Sequence, residues 1–404
     1  MLASTEKLAA AAVDAANAPA DGTNLVRDLL AGAAPAAVPG WAVAATAALV
    51  SVGLAVALIS LIAMFSTWLE RKVAGHIQCR YGPMHVGWHG WLQPIADGVK
   101  LLLKEDIIPK GADKVLFVLS PAIVLASLLG AMTALALAPN FYFADIDLGV
   151  FFILAMTSTT TIGVVMAGWA SNSKWSLYGS MREAAQVIAY EVPLGISLMV
   201  PLIVAGTFNL REASAAQSGW YGMHWFIFQN PFMLPAFLLF FIAVLAETKR
   251  APFDLPESES ELVSGFMTEY SGIRWSFFFM EEYAAMFLYS AVGAFFFFGG
   301  FESPLTWAAA SMAPSTVDLG ETLGTLKLLG EGSLVHNAVA VGTIVVKSFA
   351  GVFVMMWVRW SLPRIRIDQV MTLGYKYLTP LAMVCVLGAA LFELAWIEFF
   401  GGAK

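Results

Sequence analysis

Eight uninterrupted blocks of apolar residues, each about as long as a bilayer is thick, constrain this 404-residue chain more than any other feature. A helix needs about 20 residues to cross the hydrocarbon core, and a backbone in lipid must satisfy its own hydrogen bonds. Continuous apolar character also excludes the alternating pattern of a membrane barrel. We therefore predict an all-α, polytopic membrane bundle with eight transmembrane helices at about 41–69, 115–138, 149–170, 184–206, 225–246, 275–298, 338–358 and 377–400.

Composition excludes several other classes. Hydrophobic residues make up 59% of the chain and charged residues 13%, against roughly 45–50% and 25% in soluble domains. The net charge of −7 does not fit a basic nucleic-acid binder. With only Cys79 and Cys385, the chain cannot build a disulfide framework or a four-cysteine metal site alone. We predict no metal site at His76, His85 and His89, because glycine and proline interrupt any regular face between them.

The distribution of basic residues predicts the orientation. Sixteen of the 22 Lys and Arg residues fall in the segments that follow the first, third, fifth and seventh predicted helices. Because basic loops tend to stay on the cytoplasmic side, these four segments are predicted to be cytoplasmic and both termini to lie outside. Residues 1–40 are predicted to form a polar, Ala-rich extension without a cleaved leader, and 299–337 a long outer loop.

The first cytoplasmic segment predicts an amphipathic helix on the membrane surface. Apolar residues recur at helical spacing from Leu92 to Leu103, and the charged residues between them fall on the other face. Two interpretations stay open. The helix either only covers the end of the bundle, or it forms, with the end of the first helix, the rim of an opening for a lipid-soluble molecule.

The third cytoplasmic segment, ETKRAPFDLPESESELVSGFMTEYSGIRW, is the strongest signal in the chain. Its acidic residues alternate with apolar ones such as Phe253 and Phe266, and Lys249 and Arg250 are the nearest compensating cations. An acidic run is usually a solvated loop, but solubility alone would not require this interleaving. The acidic residues are Glu247, Asp254, Glu257, Glu259, Glu261 and Glu269.

Three more carboxyl groups, those of Glu191, Glu281 and Glu282, lie inside predicted helices. A charge at the centre of a membrane helix costs roughly 2.5–3.5 kcal/mol, so these groups should face the bundle interior and exchange protons near neutral pH. Counted from the cytoplasmic side, Glu191 and Glu281 both lie about 10 Å deep and can share one level. Lys347 is their predicted cationic partner, with a purely structural salt bridge as the alternative.

Five segments resemble the H subunit of the proton-pumping NADH:quinone oxidoreductase, respiratory complex I: ERKVAGHIQCRYGP, VGWHGWLQPIADGVKLLLKE, GWASNSKWSLYGSMREAAQVIAYEVP, ETKRAPFDLPESESELVSGFMTEYSG and WVRWSLPRIRIDQVM. The resemblance implies a subunit of a proton-translocating enzyme in the bacterial inner membrane, with quinone bound as substrate at an interface. Flavin and iron–sulfur clusters would belong to partner subunits, and no cofactor would be held permanently by this chain. The implied partners are the peripheral quinone-site subunits, the antiporter-like and small membrane subunits, and lipid.

The resemblance also implies roles for individual residues. It assigns the quinone chamber and its entrance to Glu70, Arg71, Lys72, Arg182, Phe253 and Phe266. It assigns the coupling loop and the proton path to Glu191, Glu247, Asp254, Glu257, Glu259, Glu261, Glu269, Glu281 and Glu282, and to Lys347 if that residue is their partner. Arg364 and Arg366 would seat the peripheral arm. In the entrance loop, Met84 and Trp88 replace the family's usual Asn and Pro.

Two functions of other classes stay open. The anchor subunit of a membrane-bound hydrogenase or of a ferredoxin-linked relative would share the fold and the acids without handling quinone. A free-standing ion antiporter would need no soluble partner, and the large apolar and acidic loop argues against it.

Overall fold

The computed structural model describes residues 40–219, 223–256, 259–311, 315–318, 325–329 and 334–400. Most of the predicted N-terminal extension, much of the predicted outer loop and Glu257 lie outside these ranges. The helices are α1 (Gly40–Ile77), α2 (Gln93–Leu103), α3 (Lys114–Thr133), α4 (Gly149–Ala170), α5 (Lys174–Ala205), α6 (Leu210–Ala215), α7 (Met233–Glu247), α8 (Glu259–Leu262), α9 (Gly272–Phe297), α10 (Pro304–Ala310), α11 (Leu334–Ser361), α12 (Ile367–Thr372) and α13 (Thr379–Phe400).

Irregular and extended segments are short. Three 3₁₀ turns cover Trp88–Gly90, Phe226–Phe228 and Gly265–Met267, and a π-helical stretch, Leu373–Leu378, joins α12 to α13. Strand β1 (Ala136–Ala138) pairs with β2 (Phe141–Tyr142), and β3 (Ser315–Asp318) with β4 (Thr325–Leu329), both antiparallel.

Six of the described helical segments are long and apolar enough to cross a membrane: Ala48–Ile77, Lys114–Thr133, Gly149–Ala170, Lys174–Ala205, Val335–Ser361 and Ile367–Phe399. The prediction of an all-α, polytopic membrane bundle is therefore confirmed. Helix α7 has only 15 residues, and α9 is long but contains Arg274, Glu281 and Glu282. The count of eight spans stays a prediction for these two helices.

Two helices begin away from their predicted positions. Helix α5 starts at Lys174, ten residues before the expected start, because one face of its first turns, with Ser176, Gly179 and Ser180, is buried against protein. For example, the Ser176 hydroxyl donates to the carbonyl of Phe266 at 3.1 Å. Helix α7 starts at Met233, eight residues later than expected. The cause is Pro231, which lacks an N–H and disfavours helical backbone at the residue before it.

The four basic connections meet at one end of the bundle, which we call the basic end. The N–H of Asp113 donates to the carbonyl of Ala170 at 3.0 Å, so the segments before α3 and α5 are in contact. The N–H of Ile365, which follows α11, donates to the carbonyl of Pro252, which follows α7, at 3.1 Å. The predicted grouping of these connections thus matches the described structure.

The other connections meet at the opposite end. The side-chain amide of Asn209 donates to Asp145 at 2.9 Å, and the Ser214 hydroxyl donates to the carbonyl of Gly299 at 3.0 Å. Among the described residues, the two sets of loops are therefore separated by the length of the bundle.

Helix α2 lies where the amphipathic pattern predicted it. None of its residues is buried, and the side chains of Leu102 and Leu103 are among the most exposed apolar ones. An ion pair of 2.7 Å between Arg71 and Asp97 joins it to the end of α1. Its unpacked apolar face is suited to a lipid surface.

Helix α9 occupies the centre of the bundle. Every residue from Glu281 to Phe297 is buried, among them the large side chains of Phe287 and Tyr289. Two consecutive carboxyl groups, Glu281 and Glu282, are thereby held inside protein and away from lipid, which is the environment that buried acids require.

Candidate functional site at the basic end

The turn after α7 directs two cations back into the bundle. Lys249 adopts a left-handed backbone conformation with φ of 57°, a position usually taken by glycine because a side chain there costs about 1 kcal/mol. The N–H of Arg250 donates to the carbonyl of Leu245 at 3.1 Å and closes the helix end. The Lys249 and Arg250 side chains are only 5% and 2% exposed. The strained backbone conformation of Lys249 thus places both cationic side chains next to the buried acids.

Arg250 joins the two carboxylates of Glu70 and Glu282. Its Nε lies 2.8 Å from Glu282 Oε1, and its Nη1 donates to both oxygens of Glu70 at 3.1 Å. Glu70 also accepts from the Tyr283 hydroxyl at 2.6 Å and pairs with Arg359 at 2.5 Å. Burial acts to lower the pKa of Arg250, but the Glu282 and Glu70 carboxylates raise it well above its usual value. Arg250 consequently stays charged.

Lys249 is shared by two other carboxylates. Its Nζ lies 2.5 Å from Glu183 Oε1 of α5 and 3.3 Å from Glu281 Oε2 of α9. It also lies 5.6 Å from the centre of the Phe266 ring, close enough for an attraction between cation and ring. One ammonium group thus serves carboxylates from two helices.

The acidic groups continue deeper along α7 and α5. Glu247 accepts a hydrogen bond from the Tyr289 hydroxyl at 3.3 Å, and the charges of Glu191, Lys249 and Glu281 all act on it. Glu191 in turn accepts a hydrogen bond from the Ser158 hydroxyl of α4. Ionisable groups therefore form a series that is buried except for the half-buried Glu191 at its end. We call it the buried acid–base series: Glu70, Arg250, Glu282, Lys249, Glu281, Glu183, Glu247 and Glu191.

A cavity of about 310 Å³ opens at the Glu70 end of this series. Its charged lining comprises Glu70, Arg71, Arg80, Glu282 and Arg359, and its aromatic lining comprises Trp275, Phe279, Tyr283 and Trp360. A concave site of this size that brings charged and aromatic side chains together can hold a small molecule.

The acidic loop that follows α7 makes two ion pairs near the surface. Asp254 pairs with Arg364 at 3.3 Å, and Glu261 pairs with Arg182 at 2.6 Å. Burial raises the pKa of Asp254 by more than the nearby Arg364 lowers it. The hydrogen bond from Arg182 lowers the pKa of Glu261. The two carboxyl groups of one loop thus respond to pH in opposite senses.

Comparison with known proteins now decides the family. Residues 50–390 match the family model for NADH dehydrogenase. The chain is 41% identical over 363 residues to the H subunit of NADH-quinone oxidoreductase from Chlorobium luteolum, which covers 89% of this chain and 91% of that protein. It is 42% identical over 334 residues to NADH-quinone oxidoreductase subunit 8 of Rhodothermus marinus, covering 81% and 92%. The chain belongs to the family of H subunits of the NADH-quinone oxidoreductases.

The structure brings together most of the acids assigned by resemblance to this family. Glu70, Glu247, Glu281 and Glu282 lie in one buried cluster, and Glu191 is linked to it through Glu247. Asp254 and Glu261 lie in the loop beside it, and Glu269 is half-buried. Glu257 and the side chain of Glu259 lie outside the described residues.

Lys347 does not join the acids. Its ammonium group donates to the carbonyls of Phe298, Gly300 and Glu302 at 2.6, 2.9 and 2.7 Å, at the opposite end of α9. The described partners of the buried acids are instead Lys249, Arg250 and Arg359. A cation at a helix C-terminus is favoured by the helix dipole, which explains this position of Lys347.

The predicted chamber residues divide between the cavity and other places. Glu70 and Arg71 line the cavity. Phe253 and Phe266 are buried in the two hydrophobic cores and are not among the lining residues. Lys72 lies 3.2 Å from the Met84 sulfur, Arg182 pairs with Glu261 in the loop, and Arg366, a predicted docking residue, is exposed. Among the described residues, no three His, Cys, Asp or Glu side chains are grouped to hold a metal ion.

Sequence reasoning missed Glu183, Arg359 and the aromatic wall. Glu183 precedes the predicted start of its helix, so the pattern assigns it to a connecting segment. A signal existed, because Glu183 and Glu191 are eight residues apart and residues at that spacing share a helix face. Glu183 shares Lys249 with Glu281, and Glu191 lies eight residues, or about 12 Å, further along α5.

Proposed function

We propose that this chain is the membrane subunit of a proton-pumping NADH:quinone oxidoreductase that forms the membrane part of the quinone chamber and couples quinone reduction to proton translocation. The observation that carries the proposal is the buried acid–base series, which begins at the wall of a cavity and ends inside the bundle. The relatives are named as H subunits of NADH-quinone oxidoreductase, which supports the same enzyme.

The cavity has the chemistry that a quinone ring needs. The indole of Trp275 and the ring of Phe279 stack at 5.0 Å in its wall and offer an aromatic surface for a flat ring. The guanidinium groups of Arg71 and Arg80 supply hydrogen-bond donors for carbonyl oxygens. Partner subunits with flavin and iron–sulfur clusters would supply the electrons. The quinone would arrive from the lipid beside α1 and α2.

Coupling follows from consecutive residues that face different partners. Reduction of the quinone requires protons and changes the charge beside Glu70 and Glu282. Arg250 is next to Lys249 in the chain, and Glu282 is next to Glu281. A change in the position or charge of Arg250 or Glu282 therefore alters the position or the charge of Lys249 or Glu281. In a site of low polarity such charge changes act strongly on neighbours. They pass to Glu247 and then to Glu191, where they bias proton transfer in the membrane arm.

The composition of the cluster favours proton binding. Five buried carboxyl groups, Glu70, Glu183, Glu247, Glu281 and Glu282, face three cations, Lys249, Arg250 and Arg359. Because an uncompensated buried charge is costly, the lowest-energy state of such a cluster holds protons on some of its carboxyl groups. It can therefore store and release protons as the cavity charge changes.

We further propose the orientation and the partners. The basic end faces the cytoplasm of a bacterial inner membrane, with both termini outside. There the acidic loop with Arg364 and Arg366 contacts the peripheral arm. Residues 1–40 are an extension apart from the membrane domain of residues 41–400, and 299–337 form an outer loop.

Photolabelling tests the chamber. Native membranes that contain the whole complex are illuminated with an azido-quinone, and the labelled peptides are identified by mass spectrometry. We expect the label in the peptide that contains Trp275 and Phe279, removed by excess unmodified quinone and reduced in F279A. The matched control F228A changes an exposed ring at the opposite end and should not alter labelling. Label confined to segments outside the cavity would contradict the chamber assignment.

Glu247→Gln tests the coupling. Glu247 does not line the cavity, so its effect on quinone reduction must be transmitted. We expect E247Q to lower quinone reduction and proton pumping together by roughly tenfold or more, as for loss of a proton-transfer group, while the complex assembles. Y289F removes the hydroxyl that donates to Glu247 but keeps the carboxyl group, so it should cause a smaller loss. Full rates of both reactions in assembled E247Q would refute the coupling role.

A further inference from the structure

One member of the buried acid–base series, Glu183, does not lie on the proposed route from the cavity through Glu247 to Glu191. We propose that Glu183 competes with Glu281 for the ammonium group of Lys249 and thereby positions that cation. Glu183 is then a positioning residue for proton uptake at Glu281, and the inference rests on the proposed function.

The geometry favours competition over a simple ion pair. Lys249 Nζ is closer to Glu183, at 2.5 Å, than to Glu281, at 3.3 Å. Glu183 is only 1% exposed, and its second oxygen, Oε2, accepts no hydrogen bond from the described residues. A buried carboxylate with a single cationic partner therefore depends on Lys249, and so does Glu281.

The lysine can serve either carboxylate because of its position. It lies on the left-handed turn after α7, between α5 with Glu183 and α9 with Glu281, and its flexible side chain lets the ammonium group shift from one carboxylate to the other. The other charged groups that face this triad are Glu282 of α9, Glu247 of α7 and Arg250. Glu70 of α1 and Arg359 of α11 contact Arg250 or Glu282 and complete the surroundings.

Removal of Glu183's charge has a predictable sign. In the wild type the ammonium group of Lys249 lies closer to Glu183 than to Glu281, so Glu281 shares its only described cation with a competing carboxylate. Without Glu183 the ammonium turns fully to Glu281, and the repulsion from a neighbouring carboxylate also disappears. Both effects favour the charged form of Glu281 in the variant relative to the wild type.

The pH profile of the whole complex tests this. Quinone reduction and proton pumping are measured against pH in membrane vesicles that carry wild type, E183Q, E183D or E212Q. In E183Q we expect the alkaline limb of both profiles to move by about one pH unit towards acid, which is the usual size of a neighbouring-charge effect. E183D keeps the carboxylate, but its shorter side chain places the charge further from Lys249. The alkaline limb in E183D should therefore move in the same direction as in E183Q, and by less. E212Q changes an exposed carboxylate at the opposite end and should leave the profile unmoved.

An unmoved alkaline limb in assembled E183Q overturns the inference. If E183Q does not assemble, the profile of E183D decides in the same way, and coincidence with wild type overturns it. E247Q separates the two proposals. Loss of coupled activity in E247Q together with an unmoved E183Q profile removes only the role of Glu183, whereas full activity in E247Q removes the proposed function itself.

Discussion

Arg250 is the residue on which the cavity end of the buried acid–base series depends. It is 2% exposed and is shared by Glu70 and Glu282 from two different helices. Removing one partner of a buried ion pair leaves an uncompensated charge, which costs more than the intact pair contributes. Loss of Arg250 should therefore lower the free energy of unfolding substantially.

Arg250→Met should destabilise the protein by about 3–5 kcal/mol, because it leaves two buried carboxylates without their shared cation. The measurement is the temperature at which the purified complex loses its quinone reductase activity, together with the amount of assembled complex. R250K keeps the charge but loses the two hydrogen bonds that Nη1 donates to Glu70 and should fall between R250M and wild type. An R250M complex as heat-stable as wild type would show that the pair is not structurally important.

Lys347 gives a second test at this scale. K347M removes three hydrogen bonds to carbonyls at the end of α9, and we expect a loss of about 1–3 kcal/mol in stability. In the assembled fraction the number of protons pumped per quinone should stay at the wild-type value. The matched control V346M changes a lipid-exposed neighbour and should alter neither property. A fall in the proton ratio in K347M would place Lys347 in the proton path after all.

At the scale of elements, the acidic loop after α7 contains two carboxyl groups, Asp254 and Glu261, whose pKa values are shifted in opposite directions. A carboxyl group whose pKa is raised on folding, as for Asp254, stabilises the fold below its usual value of 3.8, and the effect is lost as pH rises through the raised value. One whose pKa is lowered, as for Glu261, stabilises above its usual value of 4.5, and the effect is lost as pH falls through the lowered value. Burial raises the pKa of Asp254, and the hydrogen bond from Arg182 lowers the pKa of Glu261.

Thermal inactivation of the complex as a function of pH separates the two groups. As pH rises through the titration of Asp254, above 3.8, wild type should lose stability relative to D254N. As pH falls below 4.5, wild type should lose stability relative to E261Q. The effect of E261Q should be the smaller one because its ion pair is exposed to solvent. Parallel pH curves for wild type and both variants would disprove the opposed environments.

The elements also show where sequence pattern stops being informative. Apolar blocks predicted the helices because lipid leaves a chain no other way to satisfy its backbone. They misplaced the start of α5 because one face of its first turns, with Ser176 and Ser180, is buried against protein, where hydrogen-bonded polar side chains are tolerated. They misplaced α7 because the apolar run before Met233 conceals the effect of Pro231. Hydropathy indicates whether a segment is suited to lipid, and it does not locate the first residues of α5 and α7, which other interactions determine.

For the whole molecule, most acids of the site were predictable, apart from Glu183, but the cations that pair with those inside the helices were not. A glutamate inside an apolar helix is costly wherever it lies, so Glu281 and Glu282 were recognisable without a structure. Which cation reaches them depends on packing between distant segments. The structure gives Lys249 and Arg250, from a turn, whereas Lys347, from a helix, lies elsewhere. Arg359 reaches Glu70 across 289 residues of sequence, a contact that no local pattern contains.

The orientation of the whole molecule can be tested through Cys79, which is exposed near the basic end, whereas Cys385 is buried. A membrane-impermeant maleimide should label Cys79 in inside-out vesicles and not in right-side-out vesicles. C79S gives the background. In that background, S311C places an exposed thiol at the opposite end and should show the reverse pattern. Labelling of Cys79 from the outer side would invert the proposed topology.

The central claim is that charge changes at the cavity reach the interior of the bundle through the buried acid–base series. Glu191 ends this series and does not line the cavity, so it tests transmission without disturbing quinone contacts. The decisive measurement is quinone reduction and proton translocation, recorded together in proteoliposomes of the complex with E191Q, and with E191D as the charge-preserving control. The account predicts that both activities fall together in assembled E191Q and recover in part in E191D. Wild-type rates of both in E191Q would contradict it.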